Sequence, residues 1–166
     1  MINSKRSNLK GGVGERHPFL FYGRKLILIC MIHLKTSTRK WERREISRIV
    51  NLTMNWCRRS FGINKRKTYE VTWKCVKNTD SDKECGQYLA EENEIEIYWN
   101  NMLTIKEIID TCIHEWTHYK QPIRTHYFKW EGAYSKNPFE IEARKNEKKY
   151  TPMCWEAIKH KVNRIN

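Results

Sequence analysis

The sequence predicts an α+β fold: an N-terminal helix, a small three-stranded and mainly antiparallel sheet, a helix carrying a His-Glu-x-x-His motif, and C-terminal helices. Three observations predict it. Apolar residues recur at helical spacing near residues 38–60 and again at 104–120. Between these stretches, short runs alternate apolar and polar residues, the pattern of half-buried strands. Polar or Gly/Pro-containing turn segments separate the runs. The 166 residues suit one domain, 36–166, behind a basic leader, 1–35.

Residues 1–18 of the leader are mostly polar and rich in Gly, Ser, Lys and Arg, the composition of a flexible segment. Leu26 to Ile32 is apolar, but it is too short to span a bilayer, and no small-residue cleavage site follows it. It reads as a buried strand or as part of the leader. Met31 is an alternative start of translation.

Ser37 or Thr38 caps the first predicted helix, which runs to about Ser60. Ile46, Ile49, Val50, Thr53 and Cys57 form its buried stripe, and Gly62 stops it. In residues 68–76, Tyr69, Val71, Trp73 and Cys75 point one way and the polar residues the other. Lys77 to Glu84 is a loop. Gln87 to Ala90 is a second strand, Glu91-Glu92-Asn93 a turn, and Glu94 to Trp99 a third strand, so the expected sheet is a meander.

Thr104 and Glu107 have the spacing of a capping box, and Ile105, Ile108, Ile109, Cys112 and Trp116 form a stripe behind it. Pro122 ends that helix. An aromatic loop follows. Asn137-Pro138 then opens another helix, and Thr151-Pro152 starts a last one that turns Met153, Trp155 and Ile158 to the core.

Charge is uneven. Residues 1–67 hold 17 Lys and Arg against 3 Asp and Glu, whereas 68–166 hold 15 against 16; the total is +13. A basic front half suits phosphate backbones or an acidic surface, with Arg43, Arg44, Arg58 and Arg59 as candidate nucleic-acid contacts. The six cysteines form no C-x-x-C pair, and their scatter fits a reducing compartment. Cys75 and Cys85 are the one pair that a hairpin would place face to face.

His114-Glu115-Trp116-Thr117-His118 is the chemical centre. Residues four apart on a helix share a face, so both imidazoles can bind one Zn²⁺, with Glu115 flanking the metal's open position as candidate general base. A catalytic zinc takes a third protein ligand. The metzincin extension needs Gly at 121 and His at 124; the chain has Gln121 and Arg124, which excludes that pattern. The candidates left are His126 in the aromatic loop, and Glu140 or Glu142 on the following helix.

The segment Glu140-Ile141-Glu142-Ala143-Arg144 resembles the second motif of the gluzincins, E-x-x-A-D or E-x-E-A-N. With the H-E-x-x-H helix, it makes residues 36–163 resemble a minimal zincin, similar to the ImmA/IrrE- and SprT-like metallopeptidases of bacteria and phage. The resemblance implies a zincin-like fold for these residues, one Zn²⁺ held by His114, His118 and Glu140, and hydrolysis of a protein or peptide substrate with Glu115 as base. Where the motif has Asp or Asn after the alanine, this chain has Arg144, so the acid that would orient a histidine is missing. Tyr134, Tyr127 and His126 are candidate oxyanion donors. The resemblance also implies that Glu94 to Trp99 offers its edge to an extended substrate. The expected protein is a cytoplasmic monomer in a bacterial or phage-infected cell, with no membrane association. The alternative is a basic nucleic-acid-associated binding module with a vestigial metal site.

Overall fold

The structure, a computed structural model, describes residues 34–67, 69–79, 83–122 and 134–162. In chain order these form helix α1 (Arg43–Phe61), strands β1 (Thr72–Val76), β2 (Gly86–Leu89) and β3 (Glu94–Tyr98), helix α2 (Ile105–Lys120) and helix α3 (Pro138–Val162). Single 3-10 turns precede α2 and α3, at Trp99–Asn101 and Tyr134–Lys136. The fold is α+β, with helices against one small mixed sheet. Among the described residues, no helix is long and apolar enough to cross a membrane.

The predicted stripe of α1 is buried, but the helix starts later than Ser37 or Thr38 would place it. Glu42 and Glu45 form the capping box instead. Ser37 pairs with Thr104, and Thr38 donates from its backbone N–H to Leu103 O (2.8 Å) and from its hydroxyl to Met102 O (3.1 Å). Ile105 N in turn donates to Thr36 O (3.2 Å). Residues 36–38 thus brace the start of α2, and a helix there would break those bonds. Leu34, inside the leader by sequence, is buried in the core. The predicted strand or leader at 26–32 lies outside the described residues.

At the other end of α1, Gly62 has φ +68°, a conformation that favours glycine. Asn64 donates from its backbone to the Tyr119 hydroxyl (2.6 Å), and Lys120 donates to Ile63 O (2.8 Å). Both ends of α2 are therefore tied to segments flanking α1.

The sheet order is β1-β3-β2, which corrects the predicted meander. β3 lies in the middle, antiparallel to β2 and parallel to β1. The nine residues between β1 and β2 are too many for a tight hairpin, and the described ends of that segment, 77–79 and 83–85, lie at the end of β3. Asn100 exchanges bonds with Asn78, and Asn101 donates to Glu84 O (2.6 Å), which holds both ends there. At the opposite end, the turn residue Asn93 has φ 53° and is buried. Its amide donates to Tyr69 O (3.0 Å), its Oδ1 accepts from the Tyr88 hydroxyl (2.8 Å), and Thr72 N donates to its carbonyl (3.2 Å). One residue, through its side chain and its carbonyl, thereby sets β1 beside the β2–β3 hairpin. Tyr69 lies before β1 and is exposed. Cys75 and Cys85 lie on opposite sides of β3 and are free thiols, so no disulfide joins them.

Ile95 and Ile97 of β3 pack under α2, where Trp116 meets Trp73 and Tyr119 edge to face. β2 meets α2 closely at Gly86. A Cβ there would lie 2.8 Å from both Glu96 O and Thr111 Cγ2. Gly86→Ala is expected to cost about 1–3 kcal/mol by overpacking. Urea denaturation checks this, and a wild-type midpoint would show that the contact yields freely.

α3 is one helix of 25 residues, which corrects the predicted break at Thr151-Pro152. Asn137 caps it, accepting from Phe139 N at 3.0 Å, with Pro138 in the first turn. Pro152 stands inside the helix on its exposed side. Thr151, Cys154, Trp155, Ile158 and Val162 hold the opposite side in the core, enough to carry the helix past the missing N–H. Met153, predicted inward, is 49% exposed, because one residue off that stripe turns it to solvent.

Candidate metal centre

The centre is built where α2 and α3 run antiparallel. Thr104 caps α2, its hydroxyl accepting from Glu107 N at 3.2 Å. The Glu107 carboxylate reaches back one residue further than a capping box requires, to Leu103 N (2.6 Å). The apolar face of α2 is fully buried, and this fixes the rotation that presents His114 and His118 to α3. Polar contacts then step along the two helices: Gln121 to Phe139 and Glu142, Thr117 to Asn146, Asp110 to Thr151.

Within this seam His114, His118 and Glu140 offer ligand atoms that all lie within 4.8 Å of one another. The two Nε2 atoms are 2.9 Å apart. Glu140 places one carboxylate oxygen 3.3 Å from His114 Nε2 and the other 3.2 Å from His118 Nε2. Its side chain is fully buried. Ligand atoms at about 2.05 Å from a tetrahedral zinc stand about 3.3 Å apart; the two Glu140 contacts lie near that spacing, each through a different oxygen, and the Nε2 pair is about 0.4 Å closer. The donor chemistry fits too: two imidazoles and one carboxylate form a three-ligand set that leaves a fourth position open.

The far nitrogens are also held. His114 Nδ1 faces the Glu147 carboxylate, and His118 Nδ1 lies 2.8 Å from Gln121 Oε1. Burial works against a charge on His114, but hydrogen bonds from the ring to the Glu140 and Glu147 carboxylates, with the nearby charges of Glu115 and Glu147, outweigh it and raise its pKa to about 10. The carboxylates around His114 thus favour positive charge on this ring. Glu115 is 6% exposed. Burial pushes its carboxyl up to about 7; His114 and His118 oppose the shift, and the charges of Glu140 and Glu84 add to it.

Of the third-ligand candidates, Glu140 joins the histidines, whereas Glu142 lies on the exposed side of α3 and accepts from Gln121 Nε2 (2.9 Å). His126 and Tyr127 lie outside the described residues, as does the side chain of Tyr134. Glu147 was not legible in the motif. It stands two turns after Glu140 on one face of α3, where Arg144 leaves the acid position of the motif empty of charge-matched partners for a histidine. A scan for acids at seven-residue spacing from the ligand would have found it.

The candidate nucleic-acid arginines do not gather at one place. Arg43 and Arg44 open α1 and Arg58 and Arg59 close it, about 22 Å away along the axis. Arg43 Nε donates to Cys75 O (3.1 Å), and Arg58 pairs with Glu70 (2.7 Å). β3, expected to offer an edge to substrate, is paired on both sides. Among the described residues, the strand edge next to α2 belongs to β2, through Gly86 against Thr111 and Tyr88 against Tyr119. Comparison with protein-family models, with curated proteins and with solved structures finds no match to this chain.

Proposed function

We propose that the protein is a zinc-dependent peptidase acting on a protein or flexible peptide. The observation that carries this reading is the convergence of His114, His118 and Glu140, from two helices, with Glu115 beside them in the H-E-x-x-H spacing. A bound zinc would polarise the scissile carbonyl and lower the pKa of its water. Glu115 takes the proton of the attacking water and returns it to the leaving amine. Glu140 supplies the charge that makes the ligand set anionic, and Glu147 keeps the His114 ring turned so that Nε2 faces inward. A substrate in extended conformation would pair with the outer edge of β2, since β3 has no edge to give. The free thiols fit work in a reducing cytoplasm.

Zinc content by elemental analysis tests the reading. The wild type should hold one equivalent, and His118→Ala should hold none while keeping its helical circular dichroism. Folded, zinc-supplemented wild type without metal would end the peptidase proposal.

A further inference from the structure

The end of α2 carries a side chain that touches both halves of the proposed centre. Gln121 caps the helix, with its backbone N–H donating to Thr117 O and His118 O (both 3.1 Å). Its side chain is buried and turns back along the helix. Nε2 donates to Phe139 O (3.0 Å) and to Glu142 Oε2 (2.9 Å), while Oε1 lies 2.8 Å from His118 Nδ1.

These partners fix which way the amide faces. A carbonyl and a carboxylate accept only, so both amide protons are committed to α3. The oxygen must then face His118, and a neutral ring must carry its proton on Nδ1. That leaves the Nε2 lone pair directed at the centre, 2.9 Å from His114 Nε2 and 3.2 Å from Glu140. The α3 contact is equally specific. Phe139 immediately precedes Glu140, so the amide grips the first turn of the helix that delivers the third ligand.

We infer that Gln121 is a positioning residue that sets the tautomer of His118 and clamps the first turn of α3, so that this imidazole and Glu140 are presented together. The inference rests on the metal-site reading. It also gives Glu142 a role, since its carboxylate holds the amide from outside. Side chains one step out from a metal typically set its affinity by about 10–100-fold.

Three variants separate the orienting of His118 from the clamping of α3. Gln121→Ala removes both. Gln121→Glu keeps an acceptor for His118 Nδ1 but loses the donors to α3 and faces Glu142 with a like charge. Adding Glu142→Gln to it returns an amide donor between the same positions. The readouts are zinc affinity, by competition with a chromogenic chelator, and the His118 tautomer, by long-range ¹H–¹⁵N NMR of chelator-stripped protein at a pH where the ring is neutral. Gln121→Ala should show mixed tautomers and bind zinc about 10–100-fold more weakly. Gln121→Glu should keep the Nδ1–H form yet lose affinity, and the double variant, which regains the bond between 121 and 142 but not the one to Phe139 O, should recover part of it. Unchanged affinity and tautomer in Gln121→Ala, or no recovery in the double variant, overturns the inference. Wild type that binds no zinc defeats the metal reading instead, and the tautomer then still decides whether Gln121 orients His118. Should Gln121→Ala fail to fold, Gln121→Glu and its partner variant carry the test.

Discussion

Glu115→Gln should retain one zinc per chain and lose about 10²–10⁴-fold in peptide hydrolysis, the range of a general base. The substitution keeps shape and hydrogen-bonding reach while removing the proton acceptor. Glu115 is nearly fully buried beside His114 and His118, so an isosteric amide disturbs packing least. It is not one of the three residues that offer clustered ligand atoms, so zinc stoichiometry should not move. The measurement pairs elemental analysis with cleavage of a pool of unstructured peptides, read by mass spectrometry. A variant that cleaves as fast as wild type has its base elsewhere. A variant that loses its zinc makes Glu115 a ligand, and the roles of Glu115 and Glu140 would then have to be exchanged.

Local signals in the sequence reach some parts of this fold and not others. The stripe from Ile105 to Trp116 is legible because burial of one face and helical period are the same statement. Gly62 is legible as a stop because glycine takes the left-handed conformation at little cost. The sheet order is not, because Asn93, Asn100 and Asn101 set it through bonds to residues far away in the chain, and an asparagine in a turn looks alike in either topology. The start of α1 fails for a related reason. Ser37 and Thr38 have the chemistry of caps, yet both are held against residues 102–104. Pro152 is a breaker by its own chemistry, and the packing of Trp155 and Ile158 overrides it. At the centre, motif spacing brings out His114 and His118 at once. Choosing Glu140 over Glu142 needs the rotation of α3, which its buried side determines: Glu140 and Ala143 face inward, Ile141 and Glu142 outward.

That rotation makes three carboxylates on one helix separable by experiment. Glu140→Gln should lower zinc affinity well beyond 100-fold, because it removes a ligand and its charge from a fully buried position. Glu147→Gln should lower it by about 10–100-fold, the range for a group that orients a ligand without touching the metal. Its amide can still meet His114 Nδ1, but without the negative charge that strengthens the ring as a donor to zinc. Glu142→Gln should lower it less, since it acts only through Gln121 and its amide oxygen can still accept from Gln121 Nε2. Zinc titrations against a competing chelator, on variants with wild-type circular dichroism, give the order. If Glu142→Gln is the severe variant and Glu140→Gln the mild one, α3 is turned by about two residues from the arrangement described, and the buried position of Glu140 must be abandoned. If Glu147→Gln binds zinc as wild type does, the His114 ring is held by the packing of α2 alone. The Glu147 carboxylate is then only a surface neighbour, and the loss of the motif's acid at Arg144 has no replacement.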